Sequence, residues 1–410
     1  MRRWDKQPIV KFVNNGQIEL GRGNIISKID IQKFPGSYPI YSSSAKGDGK
    51  LGEYGNYMFD EELITWSVDG GGNLFYRPKH KFSVTNVCGY IRLHSSEIDY
   101  RFLHYLLSYQ HSLLNFDYQT KAHPSVVKKL YYFVQLPIEE QHRIADILST
   151  LDDAIAQSEA LVRKYQSIKQ GLMFDLLTRG VDENGELRLP REEAPELYGQ
   201  TSLGCLPKEW EVLKIRNARK SITSGSRWWA KNYSEEGALF LRIGNLTREH
   251  INLRFESIQR VHVPNDAESK RTAVAAGDVL VSVTADLGII AVIPENFEEA
   301  YVNQHIALIK IDDGVTTSRW VGHYLASHVG QYQFQEKNDS GAKAGLNLPT
   351  VDSLSFANPL KGEREKIVEI LDNHDKMIQV ERENLTKFLM LKQGLMQDLL
   401  SGQVRVENLI

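Results

Sequence analysis

Apolar residues fall three and four apart through two long proline-free stretches, which is the period of one helix face. In the first the seam runs Ile144, Leu148, Leu151, Ile155, Ser158, Val162, Tyr165, Lys169, Leu172, Leu176. In the second it runs Ile367, Leu371, His374, Ile378, Glu381, Leu385, Phe388, Lys392, Leu395, Leu399. One constant shift superimposes them without a gap. It carries Lys169-Gln170-Gly171-Leu172-Met173 onto Lys392-Gln393-Gly394-Leu395-Met396, and Asp175-Leu176-Leu177 onto Asp398-Leu399-Leu400. Roughly five heptads predict two coiled-coil helices whose seams bury each other. At about 1.5 Å per residue, each helix of ~35–40 residues would be ~55–60 Å long. The polar residues Ser158, Glu381, Lys169 and Lys392 interrupt the seams, where polar groups commonly set register. Glycine inside a helix costs about 1 kcal/mol, so Gly171 and Gly394 predict a close backbone approach.

Outside these stretches the period shortens. Runs such as Ala238–Ile243, Val279–Val283, Ile289–Ile293 and Ile306–Ile311 read as strands bounded by Gly, Pro and Asn. A short amphipathic helix is expected near Tyr100–Tyr109 and another near Ser318–His328. The duplication reaches here too: His104-Tyr105-Leu106-Leu107-Ser108 resembles His323-Tyr324-Leu325-Ala326-Ser327, and Cys88–Leu93 aligns with Ile306–Ile311. The expected class is α+β, as two globular units of mixed structure at residues 1–135 and 207–357. Each is followed by a long helix, at 136–180 and 358–404. Residues 181–206, rich in Gly, Pro and Glu, read as a surface linker. The loops Ser42–Tyr57, Asp69–Tyr76, Ser224–Tyr233 and Ser340–Leu348 carry most of the difference between the units, and divergent loops on a common frame are where recognition concentrates.

Composition narrows the class. A length of 410 residues, 41% hydrophobic and 25% charged, describes a soluble globular chain of more than one unit. No apolar run is long enough for a membrane span, and Met1-Arg2-Arg3-Trp4-Asp5-Lys6 leads into no signal-peptide core, so a cytoplasmic protein is expected. Cys88 and Cys205 make neither a disulfide framework nor a metal spacing. The net charge of −3 hides an asymmetry. Residues 1–135 are basic, whereas 136–206 carry 7 basic against 13 acidic side chains, which suggests different partners for different parts.

No catalytic constellation is present: there is no phosphate-binding G-x-x-x-x-G-K-[ST] loop, no H-E-x-x-H and no C-x-x-C. No catalytic residue, metal or cofactor is assigned to this chain. Asp69-Gly70-Gly71-Gly72 could cradle a phosphate or simply turn between strands, and His104 and His323 read as packing or hydrogen-bonding residues rather than ligands. What remains are loops mixing basic, aromatic and amide side chains. Arg, Asn and Gln offer bidentate patterns to base edges, and Lys serves phosphates. The candidate DNA-binding residues are Tyr41, Ser42, Lys46, Tyr76, Arg77, Asn86, Lys121 and His123 in the first unit. In the second they are Arg227, Trp228, Trp229, Lys231, Arg242, Asn245, Asn303, Gln304, His305, Lys343 and Asn347, with one Trp of the adjacent pair alternatively in the core.

The order unit–helix–unit–helix resembles the specificity subunit of type I restriction–modification enzymes. The likeness is carried by Leu136-Pro137-Ile138-Glu139-Glu140-Gln141-His142-Arg143-Ile144, the repeated Lys-Gln-Gly-Leu-Met strings, Pro207-Lys208-Glu209-Trp210, Gly277-Asp278-Val279-Leu280-Val281-Ser282 and Val302-Asn303-Gln304-His305. It implies two target recognition domains, each reading one half of a split duplex DNA sequence. They would be held by an antiparallel coiled coil with pseudo-two-fold symmetry, which docks two modification (methyltransferase) subunits, with restriction subunits joining the complex. S-adenosylmethionine, ATP and Mg2+ would then belong to those partners. The first unit opens at Trp4-Asp5 without the Pro-Lys-Glu-Trp string, and Asn358-Pro359-Leu360-Lys361-Gly362-Glu363-Arg364 lacks the Glu-Glu-Gln form. The departure of Ile64-Thr65-Trp66-Ser67-Val68-Asp69-Gly70 from the second unit's pattern implies unequal half-sites. The competing reading is a coiled-coil scaffold whose globular units bind proteins; a self-contained nuclease lacks its catalytic set.

Overall fold

The structure, a computed structural model, describes residues 6–43, 47–69, 71–114, 121–227, 229–337 and 345–406. The chain forms two compact units, Met1–Ala160 with Arg382–Ile410, and Leu161–Glu381. Each long helix therefore contributes one half to each unit.

The first unit contains β1 (Lys6–Pro8), α1 (Ile9–Asn14), β2 (Ile18–Arg22), α2 (Lys28–Lys33), β3 (Tyr38–Tyr41), β4 (Lys50–Tyr54), β5 (Phe59–Ser67), β6 (Leu74–Val84) and β7 (Cys88–Leu93). Then come α3 (Tyr100–Ser112), α4 (Pro124–Leu130), β8 (Tyr132–Val134) and the start of α5 (Ile138–Thr178). Six strands form one sheet in the order β2-β7-β5-β6-β3-β4, antiparallel except for β3 against β6. Strand β5 carries the acidic residues Asp60, Glu61 and Glu62 after Phe59 and is then buried on both faces from Leu63 to Ser67. Ile64, Trp66 and Ile91 of the sheet, Phe102, Leu103, Leu106 and Leu107 of α3, and Ile144 and Leu148 of α5 share one core with Leu399 and Leu400. Asp99 caps α3 by accepting the Phe102 N–H at 2.8 Å.

The second unit contains the rest of α5, then β9 (Tyr198–Thr201), β10 (Gly204–Pro207), β11 (Glu211–Lys214), α6 (Ile215–Ala218), β12 (Arg219–Ser224), β13 (Tyr233–Ser234), β14 (Ala238–Leu241) and β15 (Arg260–Val261). They are followed by α7 (Ala267–Thr272), β16 (Val279–Ser282), β17 (Ile290–Val292), β18 (Ala300–Val302), β19 (Ile306–Ile311), α8 (Ser318–Ala326), α9 (His328–Lys337), α10 (Leu348–Asp352), β20 (Ser355–Asn358) and α11 (Lys361–Ser401). Two four-stranded sheets form, β12-β19-β16-β17 and β13-β15-β14-β18, the second with β14 parallel to β18. The expected helix around Ser318–His328 ends at Ala326, where Ser327 turns extended and a second helix begins.

The helix halves pair antiparallel within each unit. In the first, Glu140 meets Arg405 and Asp152 meets Lys392; in the second, Lys169 meets Asp375 and the Val181 N–H donates to Glu363 at 3.0 Å. The seam is deepest where a globular core joins it: Ile144, Leu148, Leu176, Ile367, Leu371, Ile378 and Leu399 are buried, whereas Leu151, Ile155, Leu172, Leu385 and Leu395 are half-buried. Two expectations are corrected. Gly171 and Gly394 are exposed, and a Cβ added at either would meet nothing within 4 Å, so no backbone approaches them. Arg179–Pro207 is no loose linker. Its β9–β10 hairpin is folded down, and Glu363 gathers the Val181 N–H, the Arg188 guanidinium and the Trp210 indole N–H at 3.1 Å. Charge-assisted bonds of this kind are about twice as strong as neutral ones.

Candidate nucleic-acid interface

The two units, so unlike in sequence outside the helices, close one end of their sheets with the same set of backbone hydrogen bonds. After β2 the chain passes through Gly23, whose N–H donates to the Cys88 carbonyl, while the Asn24 N–H donates to Val84. After β12 it passes through Gly225, donating to Ile306, while Ser226 donates to Val302. Thr85 donates to Tyr41 as Asn303 donates to Leu241, and Val68 donates to Val87 as Val283 donates to His305. Ala122 donates to Val68 at 2.8 Å, and Leu346 to Val283 at 2.8 Å. Glycine is required at both crossings, because a Cβ would lie 2.0 Å from the Val84 carbonyl oxygen at Gly23 and 2.1 Å from those of Val302 and Asn303 at Gly225.

This frame brings five segments together in each unit. In the first they present Asn24, Ser42, Asp69, Asn86 and Lys121; at the matching places the second presents Ser226, Arg242, Thr284, Gln304 and Gly345. Of the candidates, Ser42, Asn86, Lys121, Arg227, Arg242, Gln304 and His305 therefore converge on these loop clusters. Lys121 is exposed and faces Asp69 at 3.3 Å. Arg227 is exposed next to Ser226, and Arg242 reaches Ser257 at 3.0 Å. Their ammonium and guanidinium groups have the chemistry that suits a phosphate or a base edge.

Other candidates are spent inside the fold. Arg77 is buried, with its guanidinium 3.5 Å from the centre of the Tyr41 ring and its Nε donating to Thr65 at 3.0 Å. Burial lowers the pKa of that guanidinium. Tyr41 is likewise buried, its hydroxyl against His80 at 3.3 Å. Tyr76 donates to Glu62 at 2.5 Å. Trp229 is buried, stacked on Phe240 and tilted on Tyr301, so neither face can receive a base. Asn245 braces its own loop: its side-chain oxygen accepts the Arg242 N–H at 2.9 Å, and its amide donates to Ser257 and Arg254. Asn303 is buried with its side-chain oxygen accepting the His305 N–H at 3.1 Å, and Asn347 caps α10. His123 bonds Ser125 at 3.2 Å in the turn before α4, and Lys231 lies exposed in the short helical turn Trp229–Asn232. Lys46, Trp228 and Lys343 lie outside the described residues. Asn24, Asp69, Ser226 and Thr284 were not among the candidates. Their signal was a glycine followed by a small polar residue directly after a strand, and a polar residue ending an apolar one.

Titratable clusters elsewhere serve the fold. His323, Asp372 and Asp375 come close enough to hold a metal ion. Two cations already occupy that charge: Arg319 forks onto Asp372 at 2.5 Å from both ends, and the Lys169 ammonium pairs with Asp375. Burial works to raise the Asp372 pKa, but hydrogen bonds from His323 and Arg319 prevail and lower it. Beside them a cavity of about 730 Å³ is lined by Lys169, Met173, Leu177, His250, Ile251 and His323. Cys88, buried among apolar strands, has its thiol pushed up to about 12 and is unreactive.

Comparison with known proteins matches both halves of the chain to one family. The model of the type I restriction modification DNA specificity domain matches residues 10–169 and again 207–388. The specificity subunit of the type I restriction enzyme MjaVIII of Methanocaldococcus jannaschii is 22% identical over 394 residues, covering 92% of this chain and 88% of that one. The MpnII specificity subunit of Mycoplasma pneumoniae is 35% identical over 179 residues, 41% of this chain and 53% of the relative. Among solved structures, the S subunit of a type I restriction–modification system from M. genitalium matches with a TM-score of 0.65 at 15% identity, over 97% of this chain and 96% of that one.

Proposed function

The chain belongs to the type I restriction–modification DNA specificity family, and from that premise we propose that its two units read two unequal halves of one split duplex DNA target. The observation that carries this is the shared frame with unshared side chains. Ser42, Asp69 and Asn86 stand where the second unit has Arg242, Thr284 and Gln304. A frame held by backbone bonds can keep the same approach to a groove while the exposed side chains change which bases are read. Exposed Lys121, Arg227 and Lys231 would serve phosphates, which position without specifying. Helices α5 and α11, bearing exposed Phe174, Val380, Leu389 and Met390, would dock the modification subunits. Adenine methylation and ATP-driven cleavage, with S-adenosylmethionine, ATP and Mg2+, would take place on those partners and the restriction subunits. The complex would work in the cytoplasm; among the described residues no helix is long and apolar enough to cross a membrane.

The test is domain exchange. Replacing residues 207–357 by the matching segment of a relative should change one half of the methylated motif, mapped genome-wide, and leave the other half intact. Loss of both halves from a folded protein would refute independent reading. A protein-binding scaffold would instead show no steep fall of duplex-DNA affinity with salt.

A further inference from the structure

In the second unit's loop cluster three half-buried polar side chains form one line. The Thr284 Oγ1 lies 2.5 Å from His305 Nδ1, and the amide nitrogen of Gln304 lies 2.9 Å from His305 Nε2. The amide nitrogen can only donate, so His305 Nε2 accepts, and the ring's single proton is on Nδ1. That N–H donates to Thr284. One hydrogen-bonded line thus sets the tautomer of the ring and the orientation of the amide, leaving Gln304 its carbonyl oxygen and one N–H unspent. An acceptor beside a donor is the pattern that matches N6–H and N7 of adenine.

The anchor of this line is itself held. Thr284 is followed by Ala285 in the left-handed region at φ 61°, a conformation that L residues rarely adopt. The surroundings impose it: Ser282 Oγ donates to the Asp286 carbonyl at 2.5 Å, and the Gly288 N–H to Ser282 at 2.9 Å. Strain maintained by its neighbours is characteristic of sites that must hold one geometry. His305 is fixed from the backbone side, its N–H on Asn303 and its carbonyl accepting from Val283. The first unit has nothing equivalent, since Asp69 and Val87 stand at the places of Thr284 and His305.

Resting on the reading of the loop cluster as a DNA-reading surface, we propose that Thr284 and His305 are positioning residues that lock the Gln304 amide and thereby make adenine the base read by Gln304 in the second half-site. The test selects randomised duplex DNA on the full-length chain in its restriction–modification complex. A good bidentate pair contributes ~1–3 kcal/mol of discrimination, so Gln304→Ala should reduce adenine preference at one position about tenfold or more. Thr284→Val and His305→Phe should reduce preference at that same position, Thr284→Ser should keep it, and all other positions should be unchanged. Thermal melting accompanies each variant; Thr284→Val, isosteric with the wild type, carries the test if His305→Phe does not fold. Retained adenine preference in folded Thr284→Val, with loss in Gln304→Ala, overturns the lock and leaves DNA reading intact. Full preference in Gln304→Ala overturns Gln304 as the reader. A wild-type chain that selects no sequence would fail the functional reading itself.

Discussion

The buried ion pair between Lys169 and Asp375 offers the sharpest energetic test of the helix pairing. Their side chains are only 8% and 2% exposed, so water can replace neither partner. Asp375→Leu leaves the Lys169 ammonium enclosed, with the Glu249 carbonyl at 2.7 Å as its remaining acceptor. Removing one member of a buried pair costs about 3–5 kcal/mol, because the other charge is stranded. Exchanging both, as Lys169→Met with Asp375→Leu, removes the stranded charge and should return stability to within about 1 kcal/mol of the parent, or above it. The repeat supplies an internal control. Asp152 pairs with Lys392 at the corresponding place in the first unit, but there the side chains are 40% and 25% exposed. Partly solvated pairs contribute only ~0–1 kcal/mol, so Asp152→Leu should cost several-fold less, apart from the bond it accepts from the Tyr105 hydroxyl at 2.6 Å. The assay is urea unfolding followed by tryptophan fluorescence, with Trp66 reporting on the unit that holds Asp152 and Trp210, Trp229 and Trp320 on the unit that holds Lys169 and Asp375. Equal costs for Asp375→Leu and Asp152→Leu, or a double variant no more stable than Asp375→Leu alone, would refute the burial argument.

Two further outcomes follow from buried groups in the first unit. His104 is held down to about 4 by burial, with the Lys392 ammonium adding to the effect. Its ordinary value is about 6.5, so the unfolded chain binds the extra proton and stability falls as pH drops from about 6.5 towards 4, by up to ~3 kcal/mol. His104→Leu should flatten that part of a stability–pH profile measured by urea unfolding, and an unchanged slope would contradict it. Leu148 is fully buried among Phe102, Leu106 and Leu399 in the shared core. Leu148→Asp should cost several kcal/mol, on the order of the price of an unpaired polar group in an apolar site. Lys164→Asp, at an exposed position off the seam, should shift the melting temperature little, and equal tolerance of the two would sink the seam assignment.

The long helices were legible in the sequence because a 3.6-residue period is local: side chains three and four apart share a face whatever lies opposite. The duplicated seam and the matched lysines at Lys169 and Lys392 follow from that pattern and from the identical strings, whereas the antiparallel pairing was an expectation from the family resemblance. Gly171 and Gly394 did not follow, because a glycine's neighbours are set by what packs there, and nothing does. Nor did the folded state of Arg179–Pro207, which depends on Glu363, a residue far along the chain, gathering three donors. The candidate site divides in the same way. Residue type pointed to Gln304, Arg242 and Lys121 as groups able to meet DNA, since donor and acceptor chemistry belongs to the side chain alone. Arg77, Asn245 and Trp229 carry equally suitable chemistry, but tertiary packing spends it on Tyr41 and Thr65, on the Arg254–Ser257 loop, and on Phe240. The common frame was expected from the repeat, but the hydrogen bonds that close it escaped sequence reading because they are made by backbone groups, which every residue possesses. Strand register alone brings Gly23 against Val84 and Gly225 against Val302, and register is decided by the assembled sheet.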